Sequence, residues 1–204
     1  MNWRPMLGPT MPSANPPLSK EERMSYIAPL DPASADAATT ATLQAVKARI
    51  GMVPNLYATL GKAPAALNGL LQINEAVAGG RLTAREREIV ALATSQANGC
   101  GYCLSAHTLL GKNAGLSLEQ THAARAGRGA TPREAAIAEL AKAVVDARGH
   151  VDTGTLDRLK AAGLTEGDVL EIVVNVAATT LTNYTNNVAR TEIDFPAVDV
   201  ALAA

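Results

Sequence analysis

Four times between Thr83 and Asp168 a hydroxyl residue is followed, three positions later, by a Glu, Gln or Asp. The pairs are Thr83–Glu86, Ser117–Gln120, Thr131–Glu134 and Thr165–Asp168. In such a pair each side chain can accept from the other's backbone N–H, which satisfies donors that the start of a helix otherwise strands. Pro132 follows Thr131 at the first helical position, where its missing N–H costs nothing. Gly115, Gly127, Gly149 and Gly163 stand where the helices between these starts should end. No segment shows sustained alternation with hairpin turns. The expectation is an all-α fold of about eight helices.

Composition agrees with that class. Aromatic residues are only 3% of the 204, so the core has to be built from Ala, Leu, Val and Ile, which suits close-packed helices. One domain is the expected size class. The balance of 18 basic and 19 acidic residues gives no patch to attract nucleic acid or an anionic membrane. No apolar run approaches the ~20 residues of a membrane span. Residues 1–25 are proline-rich at the start and lack helical period, and they are expected to be an extended or disordered arm. Residues 26–204 are expected to form the single helical domain. The last helix, from Glu166 to about Thr191, is apolar on most sides, which predicts burial within the domain or against a second subunit.

The chemistry is concentrated between Glu86 and Gly111. Both cysteines, Cys100 and Cys103, lie there with His107, in the spacing C-x-x-C-x-x-x-H. On a helix, at about 100° per residue, the three fall on one face. Two cysteines one turn apart can close a disulfide, since their Cα atoms sit within the usual ~4.4–6.8 Å window. With no export signal recognisable, a cycling disulfide in a reducing cytoplasm is favoured over a structural staple. Asn98 and Gly99 end one helix and begin the next, which puts Cys100 at a helix N-terminus where free N–H groups favour a thiolate. His107, four residues after Cys103, can instead deprotonate that thiol. The residues alone leave both cysteines open as the nucleophile. They also allow a zinc alternative, with Cys100, Cys103 and His107 joined by His122, His150 or Glu88, although no second C-x-x-C or H-x₃-H completes a familiar set. Glu86 belongs to the Thr83 box. Glu88 does not, and it stands among apolar Ile89, Val90, Ala91 and Leu92.

The stretch Glu88-x₉-Asn98-x-Cys100-x-Tyr102-Cys103-x₂-Ala106-His107 resembles the signature of the AhpD-like, carboxymuconolactone decarboxylase-like superfamily. The match is closest to its peroxidase-related, alkylhydroperoxidase branch. GMVPNLYATLGKAP and NYTNNVARTEIDFP add to it, so the resemblance spans roughly Tyr26 to Pro196. It implies an all-α AhpD-like fold assembled as a homo-oligomer, commonly a trimer or hexamer. It implies reduction of hydroperoxides without a metal or organic cofactor. Carried over by position, Cys103 attacks the peroxide, Cys100 resolves it, and Glu88 and His107 form a proton relay. Cys100, expected at an exposed helix end, then suits exchange with an external dithiol, a lipoyl-bearing or thioredoxin-like protein. Two positions depart from the AhpD-type pattern: Tyr102 stands where a histidine precedes the second cysteine, and Ala91 where a tryptophan follows the glutamate. The superfamily's decarboxylase side, acting on lactones in aromatic catabolism, is one alternative, although it does not need the C-x-x-C pair. A non-catalytic oligomeric protein that binds partners is another.

Overall fold

The computed structural model describes residues 25–202. Apart from Ser25, the expected N-terminal arm of residues 1–25 lies outside the described residues. Those residues form nine α-helices and no strand, after a short 3₁₀ turn at Pro32–Ser34. In chain order they are α1 (Ala37–Ile50), α2 (Asn55–Leu60), α3 (Pro64–Ala78), α4 (Ala84–Ala97), α5 (Gly101–Asn113), α6 (Leu118–Arg125), α7 (Pro132–Asp146), α8 (Thr153–Ala161) and α9 (Glu166–Ala189). No helix among them is long and apolar enough to cross a membrane.

The starts follow the capping chemistry with one exception. Thr83, Ser117 and Thr165 each make the complete reciprocal box. Thr131 accepts from the Glu134 N–H, but Glu134 does not return the bond. Its carboxylate accepts from the Ala130 N–H at 3.1 Å and from Arg85 Nε at 2.7 Å instead. A charged donor outcompetes a neutral amide for one of its oxygens.

The count exceeds the expected eight because α2 is a true helix. Its N-cap is Pro54, which offers no side-chain acceptor. Its first donors are met from far along the chain. Asp194 Oδ2 accepts from the Asn55 N–H at 2.7 Å, and the Tyr102 hydroxyl accepts from the Leu56 N–H at 3.3 Å. Tertiary capping thus replaces the local cap that the sequence lacks.

Helix α4 is central and packs on α5, α6, α7 and α9. Ile89, Val90, Leu92 and Ala93 from α4 meet Ile137 and Leu140 of α7 and Ile172 and Val176 of α9 in the main core. Each such aliphatic side chain removed from water contributes on the order of 1.5–3 kcal/mol. A second cluster joins Leu43, Leu56, Leu60, Leu67 and Leu70 of α1–α3 to Cys100, Tyr102 and Cys103. The cysteines therefore lie inside an apolar cluster. Charges tie the same helices together at the rim: Arg133 on α7 donates to Glu86 on α4 at 2.7 Å and to Asp168 on α9 at 3.2 Å.

Candidate active site

The turn between α4 and α5 sets the site. Gly99 adopts φ +62°, a left-handed conformation that costs glycine little. Cys100 then becomes the N-cap residue of α5, with its sulfur accepting from the Cys103 N–H at 3.3 Å. Cys103 and His107 follow on the inner side of α5. Helices α4 and α5 approach closely at Gly111, where an added Cβ would sit 3.0 Å from Leu116 and 3.7 Å from the Glu88 Cβ. That approach brings Glu88 across from the imidazole. Glu88 Oε2 and His107 Nδ1 are 2.8 Å apart, with only 18% of the Glu88 side chain and 23% of the His107 side chain exposed. This contact engages Nδ1 and leaves Nε2 as the ring nitrogen free to exchange a proton.

A cavity of about 180 Å³ opens onto this group. Cys103, Ala106, His107 and Leu110 line it from α5, Ile50 from α1, Leu56 and Tyr57 from α2, and Thr179 and Thr182 from α9. Its walls are mostly apolar. Tyr102 closes part of it and is buried, its ring meeting Phe195 edge-on at 5.5 Å and 87°. Burial raises the Tyr102 phenol above its usual range, with Asp194 adding to the effect, so the group stays protonated. Where the family pattern has an imidazole, this chain has a residue that caps α2 and shapes the cavity wall.

The expectation of an exposed Cys100 is overturned: its relative exposure is 0%. Leucines from α1–α3 cover the helix N-terminus on which the sulfur sits. This also decides which thiol is the more acidic. Cys100 is held well above a normal thiol, first by its hydrogen bond to Cys103 and then by burial. Cys103 is lowered to about 6. The Cys100 thiol hydrogen bond contributes most to that; burial opposes it, and the His107 charge and the Asn186 amide help. The helix N-terminus favours Cys100 as the sequence suggested, but desolvation and the neighbouring thiolate outweigh it. Burial by itself would depress His107, but the Glu88 carboxylate, by charge and hydrogen bond, raises it above its usual value.

Residues not singled out in the sequence also reach the Cys103 sulfur. Asn186 Nδ2 on α9 donates to Cys103 Sγ at 3.3 Å, and Thr182 Oγ1 lies 4.0 Å from it. A signal for them existed: polar Thr179, Asn183 and Asn186 continue the spacing of Ile172 and Val176 on the buried side of α9. Buried amides are costly unless paired, so their place in that row marks a requirement. His122 and His150 are exposed. Among the described residues, no group of three or more His, Cys, Asp and Glu side chains is placed to hold a metal ion.

A model of the carboxymuconolactone decarboxylase family matches residues 64–146, a span that contains Glu88, both cysteines and His107. The fold is similar to the AhpD core of an uncharacterized peroxidase-related protein from Ralstonia eutropha JMP134. That likeness has TM-score 0.72 and 26% identity, and covers 82% of this chain and 93% of the other. Residues 64–146 thus match the carboxymuconolactone decarboxylase family, and the fold around them is AhpD-like. A peroxidase-related protein from Silicibacter sp. TM1040 shares the fold at TM-score 0.70 and 20% identity, over 81% of this chain and 91% of that one. So does a debrominase, Bmp8, solved with 2,3,4-tribromopyrrole, at TM-score 0.71 and 19% identity, over 84% and 92%. The AhpD-like fold therefore carries more than one chemistry. No curated protein matches the sequence.

Proposed function

We propose that the protein is a thiol-dependent hydroperoxide reductase in which Cys103 is the attacking thiolate and Cys100 the resolving thiol. The observation that carries this reading is the environment of Cys103. Its sulfur accepts from Asn186 and is held in thiolate form, and it faces a cavity shared with a histidine bonded to a partly buried glutamate. The likeness to AhpD-like, peroxidase-related proteins supports an enzyme of this class.

The steps balance without a metal or an organic cofactor. The Cys103 thiolate attacks the outer oxygen of a hydroperoxide. The S–O bond forms, the O–O bond breaks, and the leaving alkoxide takes a proton from His107 to depart as an alcohol. Cys103 is then a sulfenic acid. Cys100 attacks its sulfur, the disulfide forms, and water leaves. An external dithiol, lipoyl-bearing or thioredoxin-like, restores both thiols by exchange. Because Cys100 is buried, exchange begins at the cavity-facing Cys103 sulfur. The apolar walls suit an organic hydroperoxide, and the chemistry suits a reducing cytoplasm.

Mild oxidation tests the pair directly. Stoichiometric cumene hydroperoxide is expected to remove two hydrogens from the protein mass, and dithiothreitol to restore them. Two thiols that stay free under those conditions would remove the redox reading.

The working form is proposed to be a homo-oligomer, a trimer or hexamer. Leu170, Val174, Ala177, Leu181, Tyr184 and Val188 are exposed on α9 and repeat at alternating steps of four and three. That is the spacing of a helix seam seeking a partner helix, and Leu170 and Val188 are 67% and 66% exposed. Light scattering at micromolar concentration is expected to give a multiple of the chain mass. The doubly charged variant Leu181→Glu with Val188→Glu is expected to give the monomer mass. A clean monomer for the wild type would defeat the proposal.

A further inference from the structure

The buried side of α9 changes character along its length. It begins with Ile172 and Val176 in the main core and ends with Thr179, Asn183 and Asn186 beside the cysteines. Asn183 is fully engaged: its amide donates to Ser95 Oγ at 3.1 Å, and its oxygen accepts from Asn98 Nδ2 at 2.9 Å. Asn186 is not. It is 3% exposed, its amide points at the Cys103 sulfur, and its Oδ1 has no hydrogen-bond partner. A packing role explains this poorly, because a leucine of similar size would fill the position without stranding a buried carbonyl.

We propose that Asn186 is a catalytic residue that serves Cys103 in both of its chemical states. Its amide N–H donates to the thiolate, and its unpartnered oxygen accepts the hydroxyl that the sulfur acquires on oxidation. The second role rests on the hydroperoxide reading above. The first does not. A sulfenic acid brings one O–H donor into a site whose neighbouring carboxamide has one empty acceptor. Oxygen and nitrogen of that carboxamide share a carbon, so a half-turn of the amide about its Cβ–Cγ bond passes the contact from one to the other. The sulfenic acid is thereby held in place until Cys100 displaces its oxygen as water, with the S–S bond replacing the S–O bond.

The titratable groups around this sulfur are Cys100, Tyr102 and His107 on α5, Glu88 on α4 behind the imidazole, and Tyr57 on α2 across the cavity. Helix α9 presents only uncharged Thr179, Thr182, Asn183 and Asn186 to the site. Losing the Asn186 donor therefore removes one hydrogen bond to a charge without removing a charge.

The test uses the Cys100→Ser background, where one thiol remains, and adds Asn186→Leu or Asn186→Asp. Thiolate absorbance near 240 nm is followed against pH, with no peroxide present. Asn186→Leu is expected to raise the midpoint by about one pH unit, the size of one hydrogen bond to a charged group. Its melting temperature is expected to equal or exceed that of the background, since a stranded buried carbonyl has been removed. Asn186→Asp, which keeps the shape but places a carboxylate beside the sulfur, is expected to raise the midpoint further. After one equivalent of cumene hydroperoxide, dimedone labelling is expected to show the Cys103 sulfenic acid decaying several-fold faster in Asn186→Leu. An unchanged thiol midpoint in both variants would overturn the donor role. A lowered melting temperature with an unchanged midpoint would make Asn186 a packing residue. An unchanged sulfenic acid lifetime would overturn the acceptor role. If the unsubstituted protein titrates low but never consumes peroxide, the reductase reading fails while the donor role stands.

Discussion

Cys103→Ser is expected to reduce dithiol-dependent peroxide turnover to the uncatalysed background, whereas Cys100→Ser is expected to permit one oxidation and then stop. The asymmetry follows from position. Cys103 lines the cavity and is lowered to about 6, while Cys100 is sealed among leucines and held as a protonated thiol. The Cys100→Ser protein should therefore accumulate a sulfenic acid on Cys103, visible as one added oxygen by mass spectrometry. A stopped-flow profile of Cys103 oxidation in the wild type should rise with pH to an inflection near 6, because the thiolate is the reacting form, and should fall again where His107 loses the proton it donates. His107→Ala removes the positive charge that favours that thiolate. With a rise of about one unit in the Cys103 value, oxidation should slow about tenfold below pH 6, and it should recover only in part at high pH, since the variant also lacks the acid that protonates the leaving alkoxide. Equal rates at every pH would make His107 a packing residue. A sulfenic acid on Cys100 in the Cys103→Ser protein, formed at the wild-type rate, would reverse the assignment of the two thiols.

Arg133→Ala is expected to cost roughly 2–3 kcal/mol of stability, the largest single effect outside the thiol site. Arg133 joins two helix starts at once. Its Nε donates to Glu86, which closes the Thr83 box, and its terminal nitrogens donate to Asp168, which closes the Thr165 box, and to the Gly163 carbonyl. Truncation leaves two largely buried carboxylates without their cation. Breaking a buried pair costs about 3–5 kcal/mol, and the partly exposed guanidinium places this case at or below the lower end. For a domain of this size the melting temperature should fall by roughly 5–10 °C. The pH dependence has a definite sign. The Arg133 guanidinium holds the Asp168 carboxyl well below the usual range, and Glu86 is lowered too by its bonds to Thr83 and Arg133, against the opposing effect of burial. Their contribution is complete above the unfolded carboxyl values near 4 and is lost as pH falls through the folded values. The gap between wild type and variant should thus be full at pH 7 and narrow below about pH 4. A variant that melts with the wild type at pH 7 would show that the boxes hold without the bridge.

The helix starts were legible because capping is local. Thr83, Ser117 and Thr165 find their partners three residues away, at a distance fixed by helical geometry alone. The same locality placed Cys100 at the start of α5 and put Cys103 and His107 on its inner side. Even the failure at Thr131 is instructive, since the side chain that drew Glu134 away is Arg85, forty-nine residues distant and invisible to any local rule.

What sequence spacing could not decide was burial and long-range partnership, and these control the acidity of the thiols. Two local arguments chose different cysteines. The packing of α1–α3 over Cys100, and the arrival of Asn186 from α9, favoured Cys103. Helix α2, which lacks a cap of its own, exists as a helix because Tyr102 and Asp194 reach its first donors from 46 and 139 residues away. The sequence by itself determined where the locally capped helices begin and set the two cysteines and His107 along one helix, because those depend on neighbours within a turn. Only the tertiary structure decided which sulfur is the acid, because desolvation and hydrogen bonding act through space and depend on what the rest of the chain brings there.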